Sequence, residues 1–363
     1  MPTKLLPRKA EDVRPTSRFA HAGAAQLERR AEWRASHRED ILEPDLPIVD
    51  AHHHLWARPN GRYFLDEFLA EANTGHNVRA SVFVECGSFY RRSGPALMRP
   101  VGEVEFANGI AAMAASGLFG NTLVAAGIVG TADLTVGAEV AEVLDAEIAV
   151  GGGRFRGIRL TTKWDADDDL NTGRYIVPRG LMQDADFRAG FATLAPRKLS
   201  FDAMIYHPQL LELADLARAF PDTTIILNHI GGLLAWTRTY AARREEAIAQ
   251  WRAGMTELAK CPNVHVKLGG LGMSYLALGF DRLERPATSE QLAQAWGSLY
   301  RHCIDTFGPQ RCMFESNFPP DRDTVAYPVM WNALKRIAAP YTADEKRALF
   351  NDTAAKAYRL ELD

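Results

Sequence analysis

The residues able to do chemistry are not spread evenly along this 363-residue chain. An apolar run from Leu46 ends in Asp50-Ala51-His52-His53-His54, and one from Phe201 ends in Tyr206-His207. A third, from Thr223, ends in Asn228-His229, and a fourth, from Arg311, ends in Glu315-Ser316-Asn317. Side chains two apart on a strand face the same way, so His52 and His54 can aim two imidazoles at one point. Neutral nitrogens converging in this way suit a divalent cation, although a lone His-x-His also occurs as a turn whose rings bond the backbone. His207 and His229, at equivalent ends of later runs, extend the pair into the outline of a shared polar centre. His53 has the opposite parity and is expected to be structural.

Other side chains compete for roles around that centre. Glu315 shares the parity of Asn317 and lies one layer deeper, where Lys267 could be its ion-pair partner. Glu85 ends another apolar run and suits either a salt bridge or proton transfer. Arg159 carries the forked guanidinium that clamps a carboxylate through two parallel N–H bonds, or that ties a strand to a helix. Tyr90, Arg91, Lys163 and Trp164 fall in loops where groups that shape a substrate pocket sit.

The elements that must position these residues follow a simple rhythm. Eight short apolar runs recur: Leu46–His52, Ala80–Glu85, Thr122–Gly127, Phe155–Leu160, Phe201–Tyr206, Thr223–Asn228, Val264–Leu268 and Arg311–Ser316. Between them lie helical patterns, the clearest at Glu103–Ser116, Leu134–Val150, Leu210–Phe220, Tyr240–Lys260 and Ser289–Phe307. Strand, loop and helix repeated eight times predict an α/β fold, a (β/α)8 TIM barrel, whose sites gather at the C-terminal ends of the strands. No glycine-rich dinucleotide fingerprint follows the first run, which argues against an open doubly wound sheet. The chain divides into an N-terminal helical extension, 1–45, and a barrel, 46–363. Within the extension, the Arg-rich segment Ala24–Ile41 has apolar residues at helical intervals, as for a helix packed on the barrel exterior or an arm between copies in a homo-oligomer.

Charge and composition narrow the classes. Lysine and arginine number 42 against 45 acidic residues, a formal net charge of −3, which leaves no basic footprint for nucleic acid. Residues 106–132 carry no formal charge, but five glycines divide them into a buried helix and a buried strand, so no membrane span is expected. The four cysteines form no paired motif and read as reduced thiols of a cytoplasmic protein.

Six segments taken in order, DAHHHLW (50–56), FRGIRL (155–160), IYHPQL (205–210), ILNHIGG (226–232), NVHVKLGGL (263–271) and RCMFESNFP (311–319), resemble the amidohydrolase-2 family of the amidohydrolase superfamily. That branch holds sugar-acid lactonases, a pyrone-dicarboxylate lactonase and barrel decarboxylases. The resemblance implies that His52, His54 and His207 ligate a metal where one is bound, zinc or manganese, with zinc the first expectation. It also implies that His229 contacts the substrate oxygen or the attacking water. Asn317 stands where most members carry aspartate, and a neutral amide coordinates through oxygen but accepts no proton. Some lactonases of the branch work without metal. The implied activity is hydrolysis of a small carboxylated cyclic substrate, a lactone, with His229, Glu315 and Asn317 as catalytic candidates. Arg159, Glu85, Tyr90 and Trp164 are the candidate substrate contacts. The alternatives are decarboxylation of an aromatic or enol acid on the same barrel, or a binding protein with an altered catalytic centre.

Overall fold

The computed structural model describes residues 5–7, 24–58, 61–171, 173–276 and 278–362. Eight strands run in order: β1 Pro47–His53, β2 Asn77–Val84, β3 Leu123–Gly130, β4 Phe155–Thr161, β5 Ser200–Met204, β6 Ile225–Leu227, β7 Val264–Leu268 and β8 Cys312–Phe314. Every neighbouring pair in this sheet is parallel and consecutive. The seam between β1 and β8 closes at its C-terminal edge, where Asn317 N donates to His52 O (2.9 Å) and His54 N to Phe318 O (2.8 Å). The barrel is thus laced shut at the residues suspected of chemistry.

A helix precedes the barrel, α1 Ala24–Ala35, and one follows each strand: α2 Leu65–Ala72, α3 Val101–Ala115, α4 Val140–Val150, α5 Ala185–Phe191, α6 Leu210–Ala219, α7 Arg244–Leu258, α8 Ser289–Phe307 and α9 Tyr327–Ile337. Local chemistry sets their ends. Thr288 caps α8, its hydroxyl accepting from Gln291 N (3.2 Å) while Gln291 Oε1 accepts from Thr288 N (2.9 Å). The helix expected over Leu134–Val150 is broken, because Gly137 adopts φ 69° and kinks a short 3-10 segment, Leu134–Glu139, before α4.

The near-continuous apolar strands are explained by burial on both faces. In β6, Ile225 and Leu227 pack outward among the helices, while Ile226 points into the barrel with Val49, Val82, Val129 and Met313. Ala354, Ala357 and Tyr358 of the C-terminal segment complete that inner cluster. The uncharged stretch 106–132 resolves into the rest of α3 and into β3, and among the described residues no helix is long and apolar enough to cross a membrane.

α1 does not lie on the barrel's flank; it is docked over the loops that follow β7 and β8. Trp33 Nε1 donates to Leu283 O (3.1 Å) and Glu284 O (3.0 Å), Arg30 Nε to Asp323 O (2.8 Å) and Arg34 Nη1 to Arg322 O (3.1 Å). Upstream, Leu6–Pro7 pairs antiparallel with Tyr175–Ile176 in the loop after β4.

Candidate active site

The strand ends bring His52, His54, His229, Glu315 and Asn317 together around one cavity of about 480 Å³, with His54, His229 and Asn317 in its lining. His52 lies behind them, its ring centroid 4.8 Å from that of His54 and 4.7 Å from that of His229. His229 and Asn317 both take the left-handed backbone conformation, with φ 52° at each. Non-glycine residues held there cost free energy and persist where the surroundings over-determine them. Two glycines after β7 make the packing possible: a Cβ at Gly269 would fall 2.2 Å from Glu315 Cγ, and one at Gly270 would fall 2.6 Å from His229 Cγ.

Glu315 is fully buried, and its Oε1 accepts from His229 Nδ1 at 2.6 Å. A carboxylate on Nδ1 fixes the tautomer and leaves Nε2 as the basic nitrogen. The other oxygen, Oε2, lies 3.0 Å from His52 Nδ1 yet has no aligned hydrogen bond. The Lys267 partner expected for Glu315 is not formed. Lys267 instead donates to Asp202 Oδ2 (2.7 Å), which also accepts from Tyr358 Oη (2.8 Å) and Asn228 Nδ2 (3.0 Å). Two strands back along the barrel, across β6, Asp202 of β5 satisfies the lysine, which frees Glu315 for the histidines.

The His-x-His pair converges as its parity requires. His54 Nδ1 donates to Val84 O (2.8 Å), so His54 Nε2 is unprotonated and faces His52 Nε2 at 3.2 Å. Burial, reinforced by Lys267 for His52 and by Arg159 for His54, holds both imidazoles well below the ordinary histidine range, so both are neutral at pH 7. If His52 turns its Nδ1–H to the unpartnered Glu315 Oε2, two bare Nε2 lone pairs meet, each backed by an acceptor on Nδ1. That is the arrangement that holds histidine ligands on a metal. His52, His229 and Glu315 also offer ligand atoms within 4.8 Å of one another, the only such group among the described residues. The donors present therefore fit a divalent cation.

His207 is not drawn into this group. β5 ends at Met204, and His207 opens a 3-10 turn that sets its ring edge-on to Tyr240, 5.1 Å between centroids. His53 faces outward, bonded to Ser81 Oγ (3.0 Å) and packed on Phe68.

The candidate substrate contacts divide. Glu85, Tyr90 and Arg159 line the cavity. Arg159 is already committed, donating through Nε to Glu85 Oε1 (2.8 Å) and through Nη2 to Glu85 O, with Nη1 3.3 Å from His52 Nε2. It cannot open its whole fork to a substrate carboxylate. Trp164 is absent from the lining; its backbone N donates to Gln209 Oε1 (2.9 Å) and Arg179 lies over its ring, while Lys163 takes the inward position. Burial, with Arg159 nearby, brings the Lys163 ammonium down to about 8.

Three features escaped the sequence reading. Eight arginine and lysine side chains line the cavity against two carboxylates, Glu85 and Asp323. Arg58 and Arg174 are among them, and Arg174 reaches Cys86 O at 2.8 Å. Asp321, four residues after Asn317, is buried and accepts from Asn317 Nδ2 (2.7 Å) and Gly272 N (2.9 Å). Desolvation pushes the Asp321 carboxyl well above the carboxylate range. The 317/321 spacing in the sequence was the available signal, but only a turn brings those side chains together.

Comparisons with known proteins agree with the fold. The model of the amidohydrolase family matches residues 49–360. An uncharacterised Sinorhizobium fredii protein, y4mH, is 32% identical over 87% of this chain and 99% of its own length. An L-fucono-1,5-lactonase of Burkholderia multivorans is 29% identical over 58% of this chain and 64% of that one. The crystal structure of a Burkholderia multivorans amidohydrolase with bound zinc superimposes with a TM-score of 0.66 at 25% identity, covering 86% of this chain and 99% of the other.

Proposed function

This chain belongs to the amidohydrolase family, and we propose that it hydrolyses the lactone ester of a small, negatively charged ring compound. The observation that carries the reading is the 2.6 Å contact between Glu315 and His229 Nδ1 at the wall of a cation-lined cavity. With Nδ1–H held by the carboxylate, Nε2 of His229 is the general base that takes a proton from water. Asn317 spends its Nδ2 on Asp321, so Oδ1 remains for the cavity and accepts the second hydrogen of that water. The oxygen attacks the carbonyl, negative charge grows on the carbonyl oxygen, and Arg159 and Lys163 are the cations on hand to meet it. His229 then returns its proton to the ring oxygen as the C–O bond breaks, giving an open hydroxy acid. The missing aspartate at 317 is thus answered by His229.

A divalent cation, zinc by ligand type, would be held by His52 and His54 and would polarise the carbonyl and acidify the water. Arg58 and Arg174 would take the carboxylate of the substrate in place of the committed Arg159. The sequence similarity to an L-fucono-1,5-lactonase supports the ester class. The cavity is of the size that encloses a single substituted ring.

The test is hydrolysis of a panel of carboxylated lactones, with and without added zinc, by the unmodified protein and by His229→Asn. The expected result is a ring-opened acid and a fall in turnover of at least ~100-fold in the variant. Carbon dioxide release from aromatic acids without ring opening would assign the barrel to decarboxylation instead.

A further inference from the structure

The family match begins at residue 49 and so leaves out the N-terminal extension. That extension nevertheless builds part of the cavity. Leu27, Arg30, Ala31 and Arg34 of α1 all line it, at the i, i+3, i+4, i+7 spacing that places four residues on one helix face. The helix is fastened there by Trp33 to the loop after β7 and by Arg30 and Arg34 to the backbone of Asp323 and Arg322 after β8. The first described residues of the chain are fastened to the same mouth. Leu6–Pro7 pairs with Tyr175–Ile176, next to Arg174 and Tyr175 of the lining. A segment that served only to brace the barrel would have no reason to present a continuous face of its helix to the cavity.

We propose that α1 is a substrate-binding wall supplied from outside the family's common barrel, and that it reads an anionic substituent at the end of the substrate remote from His229. The chemistry of the face supports this. Arg30 and Arg34 bring two cations, Arg322 beside them is paired with Glu71 at 3.0 Å, and Leu27 and Ala31 are the apolar residues of the same face. Guanidinium groups that already donate to backbone carbonyls are held in place, which lowers the entropy lost when an anion binds. The barrel alone places the reacting bond; α1 sets which substituent the ring carries. This inference rests on the proposed function only for the identity of the reaction, since anion binding by the wall is measurable without turnover.

The experiment uses the full chain and isophthalate, a planar ring with two carboxylates, as the probe. Its affinity is measured by calorimetry for the unmodified protein, Arg34→Ala and Ala31→Trp, the last filling the space above an exposed position of α1. Hydrolysis of the carboxylated lactone panel is followed on the same samples. Both substitutions are expected to weaken isophthalate at least ~10-fold, Arg34→Ala because removing one charged hydrogen-bond partner costs roughly this much and Ala31→Trp because the indole fills the space the anion would take. Amide exchange across residues 27–34 is expected to slow when isophthalate is added. Unchanged affinity in both variants, or no isophthalate binding by the unmodified protein, would overturn the assignment of α1. Absence of all lactone hydrolysis alongside the expected affinity losses would instead sink the lactonase reading and leave the wall standing.

Discussion

Two buried ion networks share the interior of this barrel, and they are built from nearly the same parts. In one, Asp202 holds Lys267, Tyr358 and Asn228, and Asp202 and Lys267 are both fully buried. In the other, Glu315 holds His229 and leaves one oxygen without an aligned bond beside His52. The first is closed: every charge has its partner and Tyr358 seals it from the C-terminal segment. The second opens onto the cavity through His229. Access, an unmet acceptor and an imidazole in place of an ammonium separate the structural ion pair from the catalytic one. They touch where Lys267 Nζ lies 3.4 Å from His52 Nδ1.

Substitutions should separate the two networks. The largest effect on turnover is expected from His229→Asn, as set out above, with the melting temperature close to that of the unmodified protein. Next, Glu315→Gln should lower kcat ~100-fold or more, because an amide no longer selects the His229 tautomer with a bare Nε2. Lys267→Met should do the opposite. It strands Asp202 as a buried charge, a loss of about 3–5 kcal/mol seen in denaturant titration, with the folded fraction still turning over.

Smaller effects should appear in pH profiles. Asn317→Asp sets a second carboxyl against the buried Asp321, so that the pair retains a proton near neutrality and the acid limb of kcat/KM moves up. Adding Asp321→Asn should move the limb back down, and failure of the double variant to do so would remove Asp321 from the site. The mildest change concerns Lys163. Its ammonium, brought down to about 8 by burial, loses its charge as pH rises through that value. Because that ammonium meets the charge growing on the carbonyl oxygen, kcat should fall above about pH 8, and Lys163→Met should flatten that fall.

The fold was legible because period-two strand ends and helix stops are local signals. All eight expected runs contain strands, and Ser289–Phe307 is a helix to the residue because Thr288 and Gly308 punctuate it. The convergence of His52, His54, His229 and Asn317 was equally readable, since barrel strands deliver their last residues to one mouth. What could not be read was which buried charge pairs with which. Lys267 lies within reach of more than one strand, and only the packing decides that Asp202 takes it. The same holds for His207, which strand arithmetic placed at a tip but whose strand stops three residues short. The docking of α1 over the mouth is likewise a tertiary choice, written in contacts of Trp33 and Arg30 with loops some 250 to 293 residues away.

The central claim is that Glu315 acts on His229 and not as a partner of Lys267. It is tested most directly by measuring kcat and melting temperature together on Glu315→Gln, with Asp202→Asn beside it. Glu315→Gln is expected to melt near the unmodified protein with kcat lowered ~100-fold or more, while Asp202→Asn melts lower and keeps its turnover per folded molecule. A Glu315→Gln protein that melts early but turns over normally would contradict it.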